Sequence, residues 1–295
     1  MTHIPIKGYS TFDPLKHCIV GRGHTPEAIR RFFGNSRYTD PLIKVMDETE
    51  EDLTKLAMTL TGLGVQCYRP EAQSNIRPKS SPIAPRDHFC VLGEKLLIGK
   101  TVLGFGHILK QIEKTSIKMF LDSDVSSANM IRCGDHIHWD VHPSITKHNE
   151  EMIMDWVESQ GYRVTVTRMG WHMDGVYSII KPGVIVASQD FPDLENIYEG
   201  WDILRLGAVR CEVDEELQKI IGIRNPDAHN YDVNILSVDQ NTCLLTSSNY
   251  DLRKFLDRHG VASLVIDFRH RAFWDNGIHC LTQDLYREGS LETYV

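Results

Sequence analysis

The strongest constraint on this chain is a unit that recurs in kind but not in letters: two apolar strands around a short polar turn, then a helix, then one more strand. Four segments read as hairpins: 88–98 around Gly93-Glu94-Lys95, 130–141 around Cys133-Gly134-Asp135, 177–187 around Lys181-Pro182-Gly183, and 233–246 around Asp239-Gln240-Asn241. Helical stretches that end in glycine and feed a strand lie between them. One opens at Asp40-Pro41, turns Leu42, Val45, Met46, Leu53, Leu56, Ala57, Leu60 and Leu63 to one side, and stops at Gly64 before Val65-Gln66-Cys67-Tyr68. A second is capped by Ser144, turns Met152, Trp156 and Val157 inward, and precedes Arg163-Val164-Thr165-Val166; a third is capped by Ser248, with Leu252, Phe255 and Leu256 inward, before Ser263-Leu264-Val265-Ile266. One such unit cannot bury its own apolar face. Units spaced roughly 40 to 60 residues apart therefore suggest a ring of similar modules closing on itself, with a generic α/β layer fold as the alternative.

In a ring, the loops at the strand ends meet near the axis, and polar residues there become site candidates. Three loops qualify: Ala84-Pro85-Arg86-Asp87, Gly170-Trp171-His172-Met173-Asp174 and Gly277-Ile278-His279-Cys280. Cys280 follows a glycine turn and reads as a nucleophile if a base stands near it, or as a small buried hydrophobe if none does. His172 and Asp174 have the two-residue spacing that puts side chains on one face of a strand, where a carboxylate can orient an imidazole or hold a cation; a solvated loop pair has the same letters. Asp87 reads as a site carboxylate or as the salt-bridge partner of Arg86. His136-Ile137-His138 has the His-x-His spacing of a metal site but no placeable third ligand, so a polar hairpin face is the expectation and no metal or cofactor is assigned. The loop 225–230, with Asp227 and His229, precedes a hairpin and could act as a lid. No Gly-rich phosphate loop, G-x-S-x-G elbow or Walker pattern occurs, which disfavours phosphoryl transfer and serine hydrolysis.

Composition narrows the class. A chain of 295 residues with net charge -8 argues against nucleic acid as a partner and is compatible with a small cationic substrate. No linker divides it, so one domain over 1–295 is expected. Seven cysteines without a C-x-x-C pair suggest reduced thiols. With no apolar run long enough to span a bilayer and no signal-like start, a cytoplasmic location without membrane association is the expectation. A homodimer is expected on base rate.

The motifs, in order, resemble the arginine:glycine amidinotransferases of the guanidine-modifying pentein superfamily. The residues that carry the resemblance are Tyr9-Ser10-Thr11-Phe12-Asp13-Pro14-Leu15 with Ile19-Val20-Gly21-Arg22, then Pro85-Arg86-Asp87 with Val91-Leu92-Gly93, and His172-Met173-Asp174 with Ile179-Ile180-Lys181-Pro182-Gly183. Val233-Asn234-Ile235-Leu236-Ser237-Val238-Asp239 and Gly277-Ile278-His279-Cys280-Leu281-Thr282 with the tail Gly289-Ser290-Leu291-Glu292-Thr293-Tyr294 complete it. The resemblance implies a pentein-type α/β propeller of fivefold pseudosymmetric ββαβ modules and no cofactor. It implies that Asp87 and Asp174 bind a guanidinium, that Cys280 attacks its carbon to form an amidino-cysteine, and that His172 moves the proton. An amidino group would then pass from L-arginine or a related guanidine to an amine acceptor, releasing ornithine; a guanidine hydrolase and a non-catalytic guanidine-binding protein are the alternatives. The chain departs from the family where Ser126-Ser127-Ala128-Asn129 replaces Asp-Ala-Ala-Asp, with Asp122 or Asp124 as substitutes for the lost carboxylate. It departs again at Asp190-Phe191-Pro192 and Asp227-Ala228, where the family recognises substrate.

Overall fold

The computed structural model describes residues 3–72, 82–99, 103–120, 123, 125–170, 172–191, 193–209, 212–221 and 231–295. Strands β1 (Leu15–Val20) and β2 (Gln66–Tyr68) are followed by β3 (Phe89–Leu92), β4 (Lys95–Ile98), β5 (Ile117–Met119), β6 (Met130–Cys133), β7 (His136–Asp140) and β8 (Arg163–Thr167). After these come β9 (Tyr177–Lys181), β10 (Val184–Ser188), β11 (Asp202–Leu206), β12 (Leu236–Asp239), β13 (Thr242–Leu245), β14 (Ala262–Val265) and β15 (Thr282–Arg287). They form five three-stranded sheets, each an antiparallel pair with a third strand parallel to one member. A parallel neighbour requires a crossover of about a dozen residues or more, and helices supply it. Thr39–Gly62 links β1 to β2, Lys147–Ser159 links β7 to β8, and Tyr250–Arg258 links β13 to β14.

The first sheet is completed from the far end of the chain: β15 pairs antiparallel with β1, opposing Val20 to Thr282. That pairing carries the segment ending in Cys280 to the end of β1, where Gly21 N donates to Leu281 O at 2.8 Å. Burial falls from the paired strands to the third strand. Every residue of β3 and β7 is buried, whereas three of the four residues of β14 are exposed. Strands buried on both faces tend to read as apolar runs, as β3 does with Phe-Cys-Val-Leu, whereas β7 is equally buried but carries His136, His138 and Asp140.

Several local expectations are corrected. Thr146, not Ser144, caps its helix, its Oγ accepting from Asn149 N; Ser144 is instead bonded to His142 Nδ1 at 2.8 Å. Asn249, not Ser248, caps the last long helix by accepting from Leu252 N. Met152 is exposed because the inward stripe runs through Ile153 and Val157, four residues apart, and Leu63 is exposed because it lies past the helix end. The strand expected from Val233 starts at Leu236, since 231–233 form a 3-10 turn.

The expected polar face at His136 and His138 is also corrected: both are buried. His138 Nδ1 meets Tyr177 Oη at 3.0 Å and Tyr177 Oη meets Tyr198 Oη at 3.0 Å, so the neighbouring module supplies the partners. Burial, first of all, pushes both imidazoles down to about 4, which leaves them neutral near pH 7. Among the described residues, no group of three His, Cys, Asp or Glu side chains is arranged to hold a metal ion.

Candidate active site

Each of the three candidate loops ends as a short turn beside a strand end. Pro85–Asp87 and Met173–Gly175 are 3-10 turns, and 277–281 is a tight turn in which Leu281 N donates to Gly277 O at 3.3 Å. His172 and Asp174 therefore do not share the face of a strand. His172 stands before its turn with its side chain 48% exposed, while the Asp174 side chain is wholly buried.

Asp174 lies at the centre. Its Oδ2 accepts from the Cys280 thiol at 3.3 Å and pairs with His279 Nδ1 at 2.9 Å, while its Oδ1 is buried without a donor. A carboxylate only accepts, so His279 Nδ1 carries the proton of that bond. Burial alone would raise the Asp174 carboxyl, but the His279 hydrogen bond, with the charge of His279, His172 and Arg86, outweighs it and holds the pKa below its ordinary value. His279 is pushed down to about 4 by burial first and by Arg86 second, so it donates as a neutral ring.

Asp87 faces the same space. Its Oδ1 lies 3.7 Å from His172 Nδ1 and accepts no hydrogen bond although the atom is buried. Burial, with the nearby Asp174 and Asp275 carboxylates, raises Asp87 to about 6 against the opposing pull of His172 and Arg86. Two buried carboxylate oxygens without donors can each accept a hydrogen bond, and a planar cation with N–H groups is the kind of group that would satisfy both. The Cys280 thiol is pushed well above its ordinary value by burial and then by Asp174 and Asp87, so it rests protonated. A bound cation would cancel two of those three causes.

The alternative of an Arg86–Asp87 salt bridge is not what forms. Arg86 is buried and pairs with Asp284 at 2.9 Å, while its Nε donates to His279 O at 2.8 Å and to Thr282 O at 2.9 Å. It thereby ties the Asp87 turn to the Cys280 turn. Ser126 is buried and donates to Asn129 Oδ1 at 2.9 Å. Asp122, Asp124, Trp171 and the 225–230 segment lie outside the described residues.

Sequence reasoning missed two residues here. His279 looked like a neighbour of Cys280 only, and Asn234 looked like a strand residue. Asn234 Oδ1 accepts from His279 N at 2.8 Å and Cys280 N at 3.1 Å, and Nδ2 donates to Asp174 O at 2.8 Å and Cys280 Sγ at 3.0 Å. Gly277 is the only signal that could have pointed to it. A Cβ there would lie 2.4 Å from the Asn234 Cβ, so this glycine exists to admit the asparagine.

Five three-stranded sheets around this cluster define the pentein class, and solved structures agree. The inosamine-phosphate amidinotransferase of Streptomyces griseus superposes with a TM-score of 0.71 at 21% identity, over 98% of this chain and 99% of that one. An amidinotransferase of the saxitoxin pathway from Microseira wollei reaches a TM-score of 0.74 at 17% identity, over 99% and 100%. In sequence, inosamine-phosphate amidinotransferase 1 of Streptomyces glaucescens is 25% identical over 351 aligned positions, spanning 97% of this chain and 98% of its own. No family model matches the chain. The chain thus has the pentein fold and, along nearly its whole length, is similar in sequence to inosamine-phosphate amidinotransferases.

Proposed function

We propose that this amidinotransferase takes its amidino group from L-arginine or a closely related guanidine and holds it on Cys280 before passing it to an amine. The observation that carries this reading is the pair of donor-less buried oxygens, Asp174 Oδ1 and Asp87 Oδ1, beside the Cys280 thiol. A guanidinium bridging them would offer N–H groups to both and present its central carbon to the sulfur. Its charge would lower the thiol's pKa. The thiol proton passes to solvent as the cation binds, sulfur bonds to the guanidine carbon, and the C–N bond to the ornithine nitrogen breaks as that nitrogen takes a proton from protonated His172. An incoming amine then gives its proton to His172 and attacks the same carbon, expelling the thiolate. His172 Nδ1 stands 3.7 Å from Asp87 Oδ1, at the edge of the same space.

Hydrolysis is the second reading. It is favoured by likeness to dimethylarginine dimethylaminohydrolase, with a TM-score of 0.66 at 12% identity over 92% of this chain and 99% of that one. Water would replace the amine in the second step.

Intact mass after brief incubation with L-arginine, with small molecules analysed in the same tube, tests the proposal. The expected result is an amidino adduct on Cys280 with one ornithine released. Citrulline would move the protein to the hydrolases, and neither adduct nor product would remove arginine as donor. Binding of arginine is expected to weaken below pH 6. With Asp87 at about 6 in the free protein, the carboxylate is ionised above that pH and must lose a proton to bind below it. Apparent Kd should then rise by roughly tenfold per pH unit. A Kd that is flat from pH 5 to pH 8 would remove Asp87 from guanidinium binding.

A further inference from the structure

We propose that Asn234 is a catalytic residue in its own right: its carboxamide Nδ2 is the fixed hydrogen-bond donor that stabilises the Cys280 thiolate. The assignment rests on the reading of Cys280 as the nucleophile and assigns the asparagine a role in generating it.

The orientation of the amide is determined by its surroundings. Two backbone N–H groups, from His279 and Cys280, converge on one end of the Asn234 side chain, and only oxygen can receive both. The nitrogen therefore occupies the other end, where its two hydrogens have two acceptors, Asp174 O at 2.8 Å and Cys280 Sγ at 3.0 Å. The residue is 3% exposed and its side chain makes four hydrogen bonds, so it cannot rotate without abandoning all of them. Gly277 closes the space behind it.

That fixed donor matters because burial and the two carboxylates at the sulfur oppose ionisation, and besides Asn234 only the backbone of Gly277 favours it among the causes acting on the thiol. Asp174 Oδ2, at 3.3 Å, favours the protonated thiol, and Asp87 adds negative charge. A cation on the two carboxylates relieves that opposition but supplies no hydrogen bond to sulfur. An N–H donor is held more strongly by S⁻ than by S–H, so the Asn234 bond strengthens as the thiolate forms, with no reorganisation needed. The residue also joins two of the three turns of the site, since it bonds the Asp174 carbonyl and the Cys280 amide at once.

The test is the rate of Cys280 alkylation by iodoacetamide between pH 7 and pH 10, read by peptide mass for wild type, Asn234→Ala and Asn234→Asp. No amidino donor is involved, so the result stands whether or not arginine proves to be a substrate. If Nδ2 stabilises the thiolate, Asn234→Ala should react about tenfold more slowly than wild type below the thiol pKa, the effect of a shift of about one unit. Asn234→Asp keeps the oxygen that organises the turn but replaces the donor with negative charge, and should be slower still. A residue that only shapes the turn would give the reverse order, with Asn234→Asp close to wild type and Asn234→Ala the disturbed variant. That order, unchanged rates in both variants, or failure of both to fold by circular dichroism would each overturn the assignment.

Discussion

Under the proposed mechanism, in which Cys280 carries the amidino group, Cys280→Ala is expected to lower ornithine formation from arginine by at least about 10⁴-fold. The substitution leaves the other hydrogen bonds of Asn234 in place: to His279 N, the residue-280 amide and Asp174 O. Folding stability should therefore fall by only about 1–2 kcal/mol, the loss of one small buried atom and two weak sulfur hydrogen bonds. Arginine should still bind, since Asp174 Oδ1 and Asp87 Oδ1 are untouched. Ligand-induced thermal shift measures the binding, and product analysis with intact mass measures the chemistry. Ornithine released at more than a trace by this variant would place the nucleophile elsewhere.

Asp284→Asn is expected to be the most damaging substitution for the fold. Asp284 is buried and neutralises three buried arginines at once: Arg86 at 2.9 Å, Arg287 at 2.9 Å, and Arg132. Replacing a charge with a neutral amide leaves guanidinium groups uncompensated in the interior, which costs about 3–5 kcal/mol. For a chain of this size that corresponds to a fall in Tm of roughly 10 °C. The effect should reach the site as well, because Arg86 holds the carbonyls of His279 and Thr282 on either side of Cys280. The sign against pH is that of a depressed carboxylate. Burial opposes ionisation, but Arg132, Arg86 and Arg287 hold Asp284 well below its ordinary value, so its contribution is complete above that ordinary value and disappears as pH falls through the folded one. An unfolding midpoint within a degree of wild type would mean that the arginines find other partners and that the cluster is not centred on Asp284.

The parts of this protein that were legible in its letters are those settled by neighbours within a few residues. The turns at Gly93-Glu94-Lys95 and Lys181-Pro182-Gly183, flanked by apolar runs, produced the antiparallel pairs β3–β4 and β9–β10 as expected. The loops bearing Asp87, Asp174 and Cys280 were identified from their position after strands, and Asp174 and Cys280 do meet. His172 reaches Asp87 rather than sharing a face with Asp174.

The sequence by itself determined the module, its repetition and the three turns that carry the reactive groups, because hydrophobic period and turn chemistry act locally. The tertiary structure alone decided which groups touch. Cys280 meets Asp174 across 106 residues and Asn234 across 46, Arg86 meets Asp284 across 198, and His138 is buried by a tyrosine 39 residues away. Such contacts follow from how separate sheets pack, and the same polar letter is a solvated loop residue or a buried donor depending on what that packing brings beside it.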